Sequence, residues 1–179
     1  MRRHWLVTLQ NLAITGRQWD TDAPMTLLKD QNIGSVQPLT DLASDVRCQL
    51  KLERTGDIFR LTGLWRGLIR RHCSRCNAPF DWRAEGDTER EFRLAGGQEA
   101  RLDENCDNSC EVVAAPGEID LIDILREDIW LAWKSDVICS DSCRGLCQGC
   151  GVDLNRESCQ CEQDESDHPF AALRSLQLK

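Results

Sequence analysis

The chain has 179 residues, 41% of them hydrophobic, with a net charge of −8 and eleven cysteines. That length suggests one domain with a small appended module, and the apolar content suffices for a real core. No apolar run approaches 18 residues, which argues against a membrane span. MRRHWLVTLQNLAIT lacks the apolar region and cleavage pattern of a secretory signal, so a reduced, cytoplasm-like setting is expected, an organelle stroma being equally compatible. In such a setting eleven cysteines point to metal rather than disulfides.

The charge is unevenly spread. Residues 1–71 carry 11 Lys/Arg and 7 Asp/Glu, residues 72–130 carry 6 and 15, and residues 131–179 carry 5 and 8. The acidic middle would repel a phosphate backbone and suits a basic protein partner. A solvated face that only confers solubility is the plain alternative.

In chain order, residues 5–11, WLVTLQN, read as a first strand, and residues 12–40 read as irregular. Val46, Cys48, Leu50 and Leu52 alternate with polar residues, the period of a half-buried strand. Thr55-Gly56-Asp57 signals a turn. Beyond it Phe59, Leu61, Trp65 and Ile69 fall on one face of a long strand and Arg60, Arg66 and Arg70 on the other, with Gly63 and Gly67 marking bends. Residues 79–94 form a third strand, after a break at 72–78. Its Glu85, Asp87, Glu89 and Glu91 face solvent and are the expected partner-binding residues. The three strands suit an antiparallel sheet with one wet face. Residues 95–117 read as a long acidic linker. Residues 119–133 read as a helix on the spacing of Ile122, Leu125, Ile129 and Trp133, with Asp120 and Asp123 near its positive end. A short helix is expected at 169–177, with Pro169 in its first turn.

The sulfurs carry the chemistry. Cys147-Gln-Gly-Cys150-Gly151 is a knuckle whose two thiolates can face one ion, Gly151 supplying a permissive backbone. Cys159-Gln-Cys161 lies close enough to close a tetrahedral four-sulfur site. The best single set is therefore Cys147, Cys150, Cys159 and Cys161, with Cys143 as the first substitute and Cys139 as a further ligand. Zinc is the expected ion and its role structural; an iron–sulfur cluster is the weaker option. Cys73-Ser-Arg-Cys76 leaves three readings open: ligands to that same ion, half of a second site, or a redox pair. Redox pairs favour a helix N-terminus in a βαβ setting, and here both flanks read as strands. Cys106 and Cys110 are incidental or lend ligands to Cys73 and Cys76. Cys48 is a small buried hydrophobe. The three histidines form no pattern with the cysteines, and no nucleophile–base constellation, phosphate loop or HExxH is present, so an enzyme is not expected.

Taken together, DVRCQLKL, CSRCNAPFDW, EFRL, GEIDLIDILREDIWLAW, CSDSCRGLCQGCGVDLN, CQC and DHPFAALRSL resemble the YceD family over roughly residues 40–179. It is the large ribosomal RNA subunit accumulation protein family. The resemblance implies a non-enzymatic role in accumulation of large-subunit rRNA, and so in ribosome biogenesis. It carries the metal pattern onto Cys139, Cys143, Cys147, Cys150, Cys159 and Cys161, and the CxxC onto Cys73 and Cys76. Where the family commonly has Asp-Pro-Arg near its end, this chain has Asp167-His168-Pro169-Phe170. The expected fold is α+β: a curved, mostly antiparallel sheet with one main packed helix in residues 1–134, then a Cys-rich, zinc-knuckle-like module and C-terminal helix in 135–179. The expected partner is a basic ribosomal protein or the pre-ribosomal large subunit. No membrane or small-molecule substrate is expected. Direct rRNA contact through Arg47, Arg60, Arg66, Arg70 and Arg71 is the nucleic-acid alternative, and a thiol oxidoreductase the enzymatic one.

Overall fold

The alternation at residues 46–54 becomes strand β3, Val46–Thr55, in which Val46, Cys48, Leu50 and Leu52 are all buried. The computed structural model describes residues 2–29, 39–96 and 110–161. A two-residue turn pairs Thr55 with Ile58. Gly56 takes a φ of 63° at the first central position, the place a type II′ turn gives to glycine. The chain returns as β4, Ile58–His72, with Phe59, Leu61, Trp65 and Ile69 turned inward as the pattern requires.

The glycines of β4 stand where it passes close to β3. A Cβ at Gly63 would collide with the Gln49 carbonyl, and one at Gly67 would sit 3.0 Å from Val46 Cγ2. Glycine at these positions lets β4 lie this close to β3. The next strand is β5, Pro79–Leu94, beside β4. Arg70 pairs with Asp81 and Arg60 with Glu91, so the contacts run in opposite senses along the two strands, as antiparallel neighbours do.

Two further strands lie where none was expected. Residues 12–40 contain β2, Arg17–Ala23, antiparallel to β3, and a single helical turn α1, Met25–Leu28. The strand was hidden because it ends the sheet: its outward positions carry Asp20 and Asp22, and charge on an edge strand discourages pairing with other chains. The stretch read as a linker at 95–117 contains β6, Cys110–Val113, which pairs in parallel with Glu91–Leu94. The sheet order is β2-β3-β4-β5-β6.

The first strand is shorter than residues 5–11. It is β1, Leu6–Thr8, and it pairs with β7, Glu118–Asp120. That pairing takes the first residues expected to be helical, so the helix α2 spans Leu121–Leu131 rather than 119–133. Asp120 caps it by accepting from the Ile122 N–H at 2.9 Å. Leu121, Ile122, Leu125 and Ile129 are buried with the inner faces of β3 and β4. Each large apolar side chain so buried contributes about 1.5–3 kcal/mol. Asp128 lies on the same inward side. Thr88 Oγ1 donates to it and Arg90 pairs with it, both at 2.5 Å, which fastens α2 to β5.

The chain divides into two compact units, Met1–Arg71 with Phe80–Ser135, and His72–Pro79 with Asp136–Lys179. The Cys73–Cys76 turn, expected in the first domain, therefore belongs to the second unit. The buried apolar cluster lies wholly in the first. Among the described residues no helix is long and apolar enough to cross a membrane. The helix expected at 169–177, and Cys106, lie outside the described residues.

Candidate metal centres

Two CxxC turns, 74 residues apart in the chain, have one backbone design. In the first, the Asn77 N–H donates to the Cys73 carbonyl at 2.8 Å and the Cys73 N–H to the Ala78 carbonyl at 2.9 Å. In the second, the Gly151 N–H donates to the Cys147 carbonyl at 2.9 Å and the Cys147 N–H to the Val152 carbonyl at 2.8 Å. The residue after the second cysteine is left-handed in both: Asn77 has φ 57° and Gly151 has φ 74°. Glycine and asparagine are the residues that adopt this region at least cost. The turn aims both sulfurs to one side.

Each turn meets a second cysteine pair. Cys73 and Cys76 come together with Cys139 and Cys143, and Cys147 and Cys150 with Cys159 and Cys161. Within each foursome all sulfurs lie within 4.8 Å of one another. The three readings left open for Cys73 and Cys76 thus narrow geometrically to half of a second four-sulfur group. Cys139 and Cys143 fall in that group, not beside Cys147.

The separations bear on what the groups hold. A disulfide needs about 2.05 Å between sulfurs. A tetrahedral ion with metal–sulfur bonds of about 2.3 Å spaces them by about 3.8 Å. Cys73 and Cys143 are 3.8 Å apart, and Cys76 and Cys139 3.7 Å. In the second foursome Cys150 and Cys159 are 3.5 Å apart and Cys147 and Cys159 3.2 Å. Both groups could hold a metal ion, the first at tetrahedral spacing and the second slightly contracted. The first is also the more enclosed: Cys73, Cys76 and Cys143 are buried, whereas Cys150 and Cys161 are exposed.

Local donors prepare negative charge at these sulfurs. The Arg75 and Cys139 N–H groups donate to Cys73 Sγ, each at 3.4 Å. Burial opposes ionisation of Cys73, but N–H donors from Cys76, Cys139 and Arg75 outweigh it and bring the thiol down to about 6. Cys147 is likewise brought to about 6, chiefly by the Cys150 N–H and the Cys159 thiol. Their neighbours resist. Burial, then the adjoining thiols, pushes Cys139 up to about 12, and the Cys159 and Cys150 thiols push Cys161 to about 12. One thiol in each group ionises readily and the next negative charges are repelled, the conflict that a divalent cation resolves.

The other expected site residues are placed as follows. Glu85, Asp87 and Glu89 are exposed on the outer face of β5. Glu85 and Asp87 border an open hollow with Arg47, Arg66 and the exposed Leu64. Glu91 differs, because Arg60 holds it at 2.5 Å and this contact raises the arginine's proton affinity. The expected basic patch is largely compensated: Arg47 pairs with Asp20 and Asp22, Arg60 with Glu91 and Arg70 with Asp81. Arg71 stacks on Trp133 at 3.5 Å and donates to the Lys134 carbonyl. His72 is exposed, hydrogen-bonds the Asn77 carbonyl and stays outside both foursomes. Cys48 is fully buried on β3. Sequence reasoning missed Asn77 and Asn155. Asn77 follows Cys76 as Gly151 follows Cys150, and that parallel was the signal.

Among known proteins, the large ribosomal RNA subunit accumulation protein YCED homolog 1, chloroplastic, of Zea mays is 34% identical over 79 residues, 44% of this chain and 27% of that protein. Its Arabidopsis thaliana counterpart is 34% identical over 59 residues, 33% of this chain and 18% of that protein. The matched parts thus span about a fifth to a quarter of the curated relatives. No solved structure matches the chain. The family described as large ribosomal RNA subunit accumulation protein YceD matches residues 61–177, from within β4 through β5, α2 and every cysteine of both foursomes, and leaves out the DVRCQLKL of β3; the chain belongs to the YceD family.

Proposed function

We propose that this chain is a non-catalytic factor that promotes accumulation of large-subunit rRNA during ribosome biogenesis, with two structural zinc ions in its four-cysteine centres. The observation that carries the reading is the family match over residues 61–177, which takes in both foursomes and the acidic strand. Zinc would supply the charge that four crowded thiolates lack and would fix the knuckles. It accepts four sulfurs tetrahedrally and has no redox chemistry of its own, in keeping with the 3.7–3.8 Å spacing in the first centre. Its setting is a compartment with ribosomes, a bacterial cytoplasm or an organelle stroma.

The proposed partner is a basic ribosomal protein or the pre-ribosomal particle that carries it. Glu85, Asp87 and Glu89 on β5 would receive its lysines and arginines, speeding encounter in a salt-sensitive way. The compensated arginines give direct rRNA binding less support, since paired guanidinium groups release few counterions. The thiol oxidoreductase reading also loses ground. Cys73 ionises easily but is only 2% exposed, and a redox thiol must be reachable.

Depletion of the protein in its host, followed by the ratio of large- to small-subunit rRNA, tests the reading. The ratio is expected to fall. Wild-type protein should restore it, and Cys147→Ser and the triple change Glu85→Gln, Asp87→Asn, Glu89→Gln should not. An unchanged ratio on depletion would sink the assembly role. Full rescue by the triple variant would remove the acidic strand from it.

A further inference from the structure

The two four-cysteine groups share one short connection. Cys143 ends the first and Cys147 begins the second, and the three residues between them are tied on both sides. The Leu146 N–H donates to the Arg75 carbonyl in the first CxxC turn at 3.1 Å. The Gly145 carbonyl accepts from the Leu154 N–H at 3.0 Å, in the loop between Cys150 and Cys159. Gly145 has a φ of 76°, and a Cβ there would sit 3.1 Å from the Arg75 carbonyl. A side chain at this position would crowd that carbonyl and strain the left-handed backbone.

Asn155 completes the connection. It lies in the loop of the second group, yet its Nδ2 donates to Cys143 Sγ of the first, at 3.6 Å. Its Oδ1 accepts from the Arg144 N–H at 2.8 Å. Asp153 orients it, accepting from the Asn155 N–H at 3.0 Å and from Nδ2 at 2.7 Å. Backbone bonding and the Arg156 charge hold the Asp153 carboxyl below the usual carboxylate range, with the Asn155 N–H the leading cause.

We propose that Asn155 is a positioning residue through which the second metal centre stabilises the first, so that the two ions bind cooperatively. The physical reason is charge. Four thiolates around a divalent ion leave a net negative centre, and each N–H donated to a sulfur disperses part of it. Residues that hold a metal's own ligands typically alter affinity about 10–100-fold when removed. The Asn155 donor reaches Cys143 only while its loop is ordered. That loop runs between Cys150 and Cys159, ligands of the second ion, so binding there positions a donor for the first. Linkage makes the effect reciprocal. The inference rests on the proposed metal binding and adds an order and a coupling to it.

The test uses the full chain, stripped of metal under reducing conditions and titrated with Co2+, whose thiolate charge-transfer bands count the four-sulfur sites filled while variants lacking one centre assign them, then with Zn2+ against a chromophoric chelator. The wild type should bind two ions. Removing the second centre with Cys147→Ser plus Cys150→Ser should weaken the first about 10-fold. In an Asn155→Asp background, which keeps an acceptor for the Arg144 N–H but loses the donor to sulfur, the first centre should already be weaker. The same double change should then cost it little more, the signature of a closed double-mutant cycle. If the first centre of Asn155→Asp holds its ion as tightly as wild type, or the two centres bind with unlinked affinities, the coupling is overturned while metal binding stands. A wild-type chain that binds no ion overturns both.

Discussion

Cys48 shows how one side chain sets a pH limit. It is fully buried on β3, and burial, with Asp22 nearby, pushes its thiol from 9.0 up to about 11. A raised value means the folded state favours the neutral thiol. Its contribution is fully present below pH 9, where the unfolded chain is also neutral, and is lost as pH rises from 9 to 11. One pKa unit corresponds to about 1.4 kcal/mol, so Cys48→Val should lower the loss of stability between pH 8 and pH 11 by about 2–3 kcal/mol in urea unfolding curves. An unchanged alkaline loss would mean that the thiol is not the group being titrated. A Cβ added at Gly151 would meet nothing within 4 Å, so Gly151→Ala probes backbone strain alone. It should cost about 1–2 kcal/mol, read as weaker metal retention against a chelator, whereas Asn77→Gly should be nearly silent. These residues differ in legibility. Cys48 and Gly151 could be read from alternation and from the CxxC turn. Asn155 could not, because a side chain that reaches a sulfur twelve positions away leaves no periodic trace.

At the scale of elements, α2 joins a legible part to a hidden one. Its apolar spacing is plain in the sequence, and Asp120 caps it. Asp120→Ala should cost about 1 kcal/mol, a normal loss for an N-cap. Asp128 was not legible, since an acid in a charged stretch reads as solvated. Its side chain is instead 3% exposed and takes both Thr88 and Arg90. Asp128→Ala would leave the buried Thr88 hydroxyl without its acceptor and Arg90 with only its longer contacts to Glu111 and Glu127, and should cost about 2–3 kcal/mol, more than the cap. Similar losses for the two variants in equilibrium unfolding would refute that ranking. The inward strand faces followed directly from alternation in β3 and β4. Edge strand β2 did not, because Asp20 and Asp22 occupy its outer positions and the partners that define it lie about 30 residues on, as in the Asp20–Gln49 and Thr21–Cys48 pairs.

On the scale of the whole molecule, the two units are held by different physics. The buried apolar cluster lies in Met1–Arg71 with Phe80–Ser135, while among its described residues the second unit has the four-cysteine groups and little buried apolar surface beyond Val137. A unit of that kind would depend on the proposed metal ions for order. Chelation under reducing conditions should therefore open residues 136–161 to protease and leave the sheet's far-ultraviolet signal nearly intact. Collapse of that signal along with the metal would show that the sheet depends on it too. The eight sulfurs could be picked out from the sequence, but not their partition, because Cys76 meets Cys139 across 63 residues and local spacing does not encode so distant a partner. The same separation sets a timetable for synthesis. The second group closes within one stretch of 15 residues, from Cys147 to Cys161, almost as soon as it is made. The first cannot close when Cys73 and Cys76 leave the ribosome. At about 5–20 residues per second, those two thiols wait roughly 3–13 s for Cys139, exposed meanwhile to oxidants and to competing ions, while β5, β6 and α2 are translated between them.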